Sequence, residues 1–197
     1  MIQSKSDLKY YLDEDRKAQF KPALRGLKAR IANFLFPDYN YEYVRCLRYL
    51  EYYQNLPGGG GVFGKLKRLY YGRKLSSLRA RTGIECPPNV AGPGLWFSHG
   101  KVVISAAAKL GEHCKILSDV TIGGQGRYDV AGAPTLGNRV WVGSGAKIIG
   151  PIKIADDVVI GANAVVCKDI TEPNTTWVGA PAKKVSDTGS YHYLNRA

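Results

Sequence analysis

Residues 136–166 read LGNRVWVGSGAKIIGPIKIADDVVIGANAVV, and steps of six through them land on Leu136, Val142, Ile148, Ile154, Ile160 and Val166. Four places past each aliphatic stands another small or apolar side chain: Val140, Ala146, Ile152, Val158, Ala164 and Ile170. Gly follows the aliphatic at 137, 143 and 161. Neither the 3.6-residue helix period nor the two-residue strand period produces strict sixes. A coil with three short flat sides does. Each hexad then supplies one strand and one corner, and its aliphatic turns inward onto those of neighbouring coils. Interior backbone groups pair with the next coil about 4.8 Å away. The glycines are expected at corners, where they tolerate backbone angles that other residues resist.

The same pattern runs back through Ile122, Ile116, Leu110 and Ile104, with Ala108, Cys114 and Val120 at the second apolar position and glycine at 111 and 123. All ten stepped positions are Ile, Leu or Val, although only 44 of the 197 residues are. The phase breaks once. Ile122 and Leu136 are 14 residues apart, eight more than one hexad, which predicts an outward loop between Gly123 and Thr135. Gly126, the one exception to the second apolar position, falls there.

Residues 1–82 have another texture, rich in Lys, Arg, Tyr and Leu, and read as helical. Ser6-Asp7 is expected to cap a helix carrying Leu8, Tyr11, Leu12 and Arg16. Pro22 opens a second, with Leu24, Leu27, Ile31, Phe34 and Leu35, which ends before Pro37. A third starts near Asn40 and puts Tyr43, Val44, Leu47 and Leu50 on one face. Pro57 and the run Gly58–Gly61 break the chain. A fourth helix follows, holding Leu66, Leu69, Tyr70, Leu75 and Leu78. The chain thus divides into a helical N-terminal domain (1–82), a solenoid domain (83–185) and a C-terminal tail (186–197).

Composition narrows the class. The N-terminus lacks an apolar signal core and no eighteen apolar residues run together, so neither a signal peptide nor a membrane span is expected. Cys46, Cys86, Cys114 and Cys167 form no CxxC pair, which predicts reduced thiols in a cytoplasmic protein rather than a zinc knuckle or disulfide scaffold. A net charge of +12 calls for an anionic partner, with nucleic acid, anionic lipid and a phosphate-bearing cofactor all compatible. No nucleic-acid motif is present.

The hexads resemble those of the left-handed β-helix acyltransferases. Gly83–Pro88, Gly94–Gly100, Val102–Ile104, Val120–Gly124, Val142–Lys147, Gly161–Val166 and the ending Trp177–Lys184 are similar to segments of serine acetyltransferases and their polysaccharide-modifying relatives. The helical stretch Ser4–Leu12 looks like the polysaccharide-modifying branch. The resemblance implies a mainly β fold, a left-handed parallel β-helix (a hexapeptide-repeat solenoid) preceded by an α-helical N-terminal domain. It further implies a homotrimer with active sites between subunits, and acetyl transfer from acetyl-CoA to a hydroxyl acceptor without a metal.

Such transfer needs a base for the hydroxyl proton, and histidine titrates near working pH. The chain has three: His99, His113 and His192. The resemblance assigns the base to His99 and its acidic partner to Glu85. His113 sits at an outward offset in its hexad and His192 in the tail, which also makes a three-histidine metal site improbable. Gly143, Ser144, Gly145 and Ala146 match the segment beside the pantetheine arm. Ala162, Cys167 and Lys168 match another cofactor-side stretch, and Lys183 and Lys184 match the basic end that meets nucleotide phosphates. On the acceptor side stand Ser98, Asp119 and, in the loop, Arg127, Tyr128 and Asp129. The sequence departs from serine acetyltransferases at Ser98, where they carry Asp, and at Gly132-Ala133, where they carry Arg-His. Without those charged readers a sugar hydroxyl is the expected acceptor, with free serine the alternative and a non-catalytic scaffold the reading from another class.

Overall fold

From Ile84 onward the backbone returns to the same face after 17–19 residues, or 26 across Gly123–Thr135: Ile84 lies opposite Val102, Val103 opposite Thr121, Lys147 opposite Val165, and Thr121 opposite Lys147. The computed structural model describes residues 1–19, 37–124 and 132–191. Three parallel sheets form the sides of a prism. The first face stacks β1 (Ile84–Glu85), β3 (Val102–Ile104), β6 (Thr121–Gly123), β9 (Lys147–Ile149) and β12 (Val165–Val166). The second stacks β4 (Lys109–Leu110), β7 (Thr135–Leu136) and β10 (Lys153–Ile154). The third stacks β2 (Trp96–Phe97), β5 (Lys115–Ile116), β8 (Trp141–Val142), β11 (Val159–Ile160) and β13 (Thr176–Val178). A last strand, β14 (Lys183–Ser186), turns back antiparallel on β13 and covers that sheet's free edge.

All ten stepped aliphatics are buried, from Ile104 to Val166, and so are the nine residues four places on, from Ala108 to Ile170. Each Val, Leu or Ile among them contributes roughly 1.5–3 kcal/mol by leaving water. The glycine expectation needs correction. None of Gly111, Gly123, Gly137, Gly143 and Gly161 has positive φ. Four of them are required by the next coil instead: a Cβ on Gly137 would lie 2.3 Å from Asp156 Oδ1, and one on Gly143 2.7 Å from the Ala162 nitrogen. The left-handed corner conformation falls to Lys101, Asp119, Gly145 and Asn163 along one edge, and to Gly94, His113, Arg139, Asp157 and Asn174 along another. Asn and Asp adopt it at low cost, which accounts for four of the nine.

The base of the prism rests on helices. The first, α1 (Lys5–Ala18), is capped by Ser4 rather than Ser6: Ser4 Oγ accepts from the Asp7 N–H at 3.1 Å while Asp7 Oδ2 accepts from the Ser4 N–H at 2.9 Å. Asp7 can reach back only from the third helical position, so the helix begins earlier than Ser6-Asp7 implied. The segment from Pro22 to Leu35 lies outside the described residues. Helix α2 (Tyr39–Asn55) starts at the Asp38 cap and buries Tyr43, Val44 and Leu47 as expected, but Leu50 is only half-buried and Arg48 and Glu51 are buried instead. Four glycines, Gly58–Gly61, all at φ between +62° and +69°, turn the chain into α3 (Gly61–Thr82). This helix packs on α2 through Tyr71, stacked on Tyr49 and Tyr53, and adds Leu75 and Leu78 to the core, while Leu66, Leu69 and Tyr70 face solvent. Two apolar stripes run along it, and only one meets α2.

Arg48 joins the two parts of the chain. Its guanidinium, wholly buried, donates to Asp15 of α1 at 2.8 and 3.3 Å, to Glu51 at 3.0 Å, and to the carbonyls of Ala91 and Gly92 at 2.9 and 2.6 Å. Asp15 also accepts the Leu95 N–H, and Glu51 the Asn89 N–H. Every charge is thereby paired inside the core, the condition under which burying it is tolerable. One hydrophobic cluster continues from Tyr43, Val44 and Leu47 into the prism.

A candidate active site on one edge of the prism

The corner where the third face turns into the first carries His99. Ser98 to Lys101 link β2 to β3, and His99 points outward, exposed. The corner is held from below. The Lys101 N–H donates to the Thr82 carbonyl at 2.9 Å, and Asn40 Nδ2 donates to the Ser98 carbonyl at 3.3 Å. Gly100 has no alternative, since a Cβ there would lie 1.8 Å from the Thr82 oxygen. The end of α3 and the start of α2 therefore fix the backbone on both sides of the imidazole.

Successive corners stack above it along the same edge. The Ser98 N–H donates to the Ile116 carbonyl, Leu117 to Val142, Gly145 to Ser118, Asn163 to Ser144 and Val165 to Gly179, at 2.8–3.1 Å. Asp119, Gly143–Ala146 and Ala162 thus share one edge with His99. Asp119 is exposed, and its carbonyl accepts from Lys147 Nζ at 2.6 Å. Ser144 Oγ lies 3.2 Å from Ser118 Oγ. Gly145 takes the left-handed conformation that favours glycine, and a Cβ there would in addition lie 2.0 Å from Asn163 Oδ1, so the backbone at Gly143 and Gly145 carries no side chain.

A cleft of about 280 Å³ caps the first face, lined by Val165–Ile170, Trp177 and Pro181–Lys183; Pro181–Lys183 stand at the top of the His99 edge, whereas Cys167–Asp169 lie on the far edge, where the first face turns into the second. Cys167, Lys168 and Lys183 converge there. Lys184 does not. Neighbours on β14 point to opposite sides, and the Lys184 ammonium pairs with Glu172 at 2.5 Å and Asp187 at 2.6 Å. Hydrogen bonds to those two carboxylates raise its pKa.

Glu85 sits on β1, one coil below Val103. Its carboxylate pairs with Arg79 from the last turn of α3, and among the described residues no hydrogen bond joins it to His99. Arg127, Tyr128, Asp129 and His192 lie outside the described residues. His113 faces α1, with Nε2 3.7 Å from Glu14 Oε2. Among the described residues no group of three or more His, Cys, Asp or Glu could hold a metal ion. Burial pushes the Cys86 and Cys114 thiols up to about 12 and the Cys46 thiol to about 11, which leaves exposed Cys167 apart from the other three.

Sequence reasoning missed Thr82, Gly100 and Asn40, which hold the His99 corner. The first two stand beside motif residues, but Asn40 is 58 residues from its partner and carries no local signal.

Residues 133–168 match the family model described as bacterial transferase hexapeptide (six repeats). Over 124 residues the chain is 47% identical to serine acetyltransferase of Helicobacter pylori strain J99, covering 61% of this chain and 72% of that one. It is 40% identical over 112 residues to the Mycobacterium tuberculosis serine acetyltransferase, covering 56% and 48% of the two chains. Among solved structures, soybean serine acetyltransferase apoenzyme superposes with a TM-score of 0.70 at 26% identity, over 92% of this chain and 70% of that one. Neisseria gonorrhoeae serine acetyltransferase in complex with serine gives 0.67 at 26%, over 93% and 71%. These likenesses imply left-handed winding of the prism, and they support the serine acetyltransferase resemblance rather than the polysaccharide-modifying branch. With its hexads, its parallel prism and this degree of identity, the chain belongs to the serine acetyltransferase family and is an acetyltransferase.

Proposed function

We propose that the chain transfers the acetyl group of acetyl-CoA to the hydroxyl of serine along the edge that carries His99. One observation carries the reading: His99, Gly143–Ala146 and Ala162 lie on a single edge, and the cleft above them reaches across the top of the first face from Lys183 to Lys168. From the His99 corner to the corner at 179–182 is four coils, about 19 Å. That length suits an extended pantetheine arm, with its thioester near the imidazole and its phosphates near the two lysines. Lys168 and Lys183 then act as point charges for phosphate.

In this reading His99 accepts the hydroxyl proton as the serine oxygen bonds to the acetyl carbon. It returns that proton to the sulfur as the carbon–sulfur bond breaks, so no covalent enzyme intermediate is needed. Glu85 orients the imidazole only after exchanging Arg79 for His99, a rearrangement that binding at the corner would have to drive. The active unit is a homotrimer. Gly123 and Gly124 leave the prism where the first face turns into the second, a different edge from the His99 corner. The eight-residue insertion in the hexad pattern that follows Ile122 supports an acceptor site completed by a neighbouring copy.

A sugar hydroxyl is the second reading, favoured by one local fact. Gly132 and Ala133 carry no charged side chain that could read serine's ammonium or carboxylate. Thiol release from acetyl-CoA, followed across serine, amino sugars and hexoses, tests both. Turnover with serine well above the panel supports the main reading, turnover only with a sugar replaces it, and no release with any acceptor removes the enzyme assignment for this edge.

A further inference from the structure

Helix α3 carries seven cations, Lys65, Lys67, Arg68, Arg73, Lys74, Arg79 and Arg81, and no carboxylate in its 22 residues. Opposite the side that packs on α2 it exposes Val62, Phe63, Leu66, Leu69 and Tyr70, each 57–76% accessible. These five fall on one side of the helix at spacings of three and four. Lys65 flanks them on one margin and Lys67 on the other, with the Lys67 ammonium 5.4 Å from the Phe63 ring centre. Beside the stripe, Lys65, Arg68 and Arg73 line a groove of about 850 Å³ against α2, with Leu69 and Leu50 as its apolar part. Among the described residues no carboxylate pairs with those three cations. Lys74 and Arg79, by contrast, are engaged by Glu42 and Glu85.

We propose that this face docks α3 flat onto an anionic lipid surface. An apolar stripe margined by long cationic side chains is the arrangement that lies in a bilayer interface, with the aliphatics among acyl chains and the ammonium and guanidinium groups at headgroup phosphates. The net charge of +12 acts in the same direction. A second copy related by a two-fold axis suits the face poorly. A two-fold contact sets a patch against itself, so Lys65, Arg68 and Arg73 would meet like charges where no carboxylate intervenes. Nothing spans the bilayer in this arrangement, in keeping with the absence, among the described residues, of a helix long and apolar enough to cross one.

The test is sedimentation of the full chain with phosphatidylcholine vesicles, with and without about 30% phosphatidylglycerol. Binding is expected to the anionic vesicles alone and to fall steeply as salt is raised. Lys65→Glu/Arg68→Glu/Arg73→Glu should weaken partitioning about a hundredfold or more. Leu66→Asp/Leu69→Asp should abolish it, while thiol release from acetyl-CoA in solution is unchanged. Absence of binding to anionic vesicles at low salt overturns the proposal. So does undiminished binding by either variant, or a fall in molar mass by light scattering for Leu66→Asp/Leu69→Asp, which would assign the stripe to a subunit contact.

Discussion

Arg48 and Asp15 face each other at the foot of the prism with neither side chain exposed, joined by hydrogen bonds of 2.8 and 3.3 Å across 33 residues of sequence. The two carbonyls that complete the guanidinium shell, Ala91 and Gly92, belong to the first coil. The pair therefore locks α1 and α2 to the solenoid. Arg48→Met strands two buried carboxylates and should destabilise the chain by about 3–5 kcal/mol in denaturant unfolding. Replacing Arg48, Asp15 and Glu51 together by Met, Leu and Leu should recover much of that loss. A triple variant as unstable as the single one would show that packing rather than charge pairing holds the joint.

Gly100→Ala puts a methyl group 1.8 Å from the Thr82 oxygen, so the corner must move. The expected result is a stability loss of about 1–3 kcal/mol together with a fall in kcat as the imidazole is displaced. Ser98→Ala leaves the backbone where it is and should cost far less in stability. A Gly100→Ala variant of unaltered kcat would detach the corner geometry from the chemistry.

His99→Ala should reduce kcat by about 10²–10⁴ with the best acceptor, the range a positioned general base contributes. KM for acetyl-CoA should change little, because the phosphate contacts proposed at Lys168 and Lys183 lie several coils away. Retention of wild-type turnover would move the base elsewhere.

Of the four cysteines only Cys167 is exposed; burial raises the thiols of the other three. At pH 8 a disulfide reagent should therefore titrate one thiol in the native protein and four in denaturant. Because Cys167 lines the cleft with Lys168 and Lys183, acetyl-CoA should slow its modification. Labelling at the same rate with saturating acetyl-CoA would place the nucleotide outside the cleft.

Asp7 titrates below its ordinary value of 3.8, first because it accepts the Gln3 N–H and then through its bonds to Ser4. A carboxylate with a lowered folded pKa contributes stability that is complete above the unfolded value and is lost as pH falls through the folded one. The first turn of α1 should accordingly fray below about pH 3.8. Hydrogen exchange at the Asp7 and Leu8 amides, compared with Asp7→Ala, checks this; equal protection in the two proteins at pH 6 would rule the cap out as the cause.

The solenoid could be read from sequence because its period is local. Each hexad alternates strand and corner within six residues, so Leu136, Val142 and Ile148 announce their burial without reference to anything distant. The hub at Arg48 could not. Apart from Glu51, its partners lie 33 to 44 residues away, and a charged residue on a helix reads as solvated until those partners are known. Period alone also failed on α3, which has two apolar stripes, because it marks a stripe without saying which one meets a neighbour. The glycines were located correctly and explained wrongly: Gly137 and Gly143 answer to the coil stacked on them, a constraint from 18 or more residues away rather than from their own φ. At the site, the residues sharing an edge followed from hexad offsets, whereas the divergence of Lys183 and Lys184 followed from the reversal of β14, which no hexad encodes.

The prism is closed at both ends by parts that do not repeat: the Arg48 hub and helices at the foot, and β14 folded back at the top. Between these stops the windings are equivalent, as on a spool with fixed flanges. An extra turn of 18 residues spliced between Val142 and Ile160 would meet the same interior above and below and lengthen the spool by about 4.8 Å. The same splice beside Asn89 or Val178 would pull a stop from its seat. Reach along the axis can thus change in whole turns while both stops and the His99 corner stay as they are.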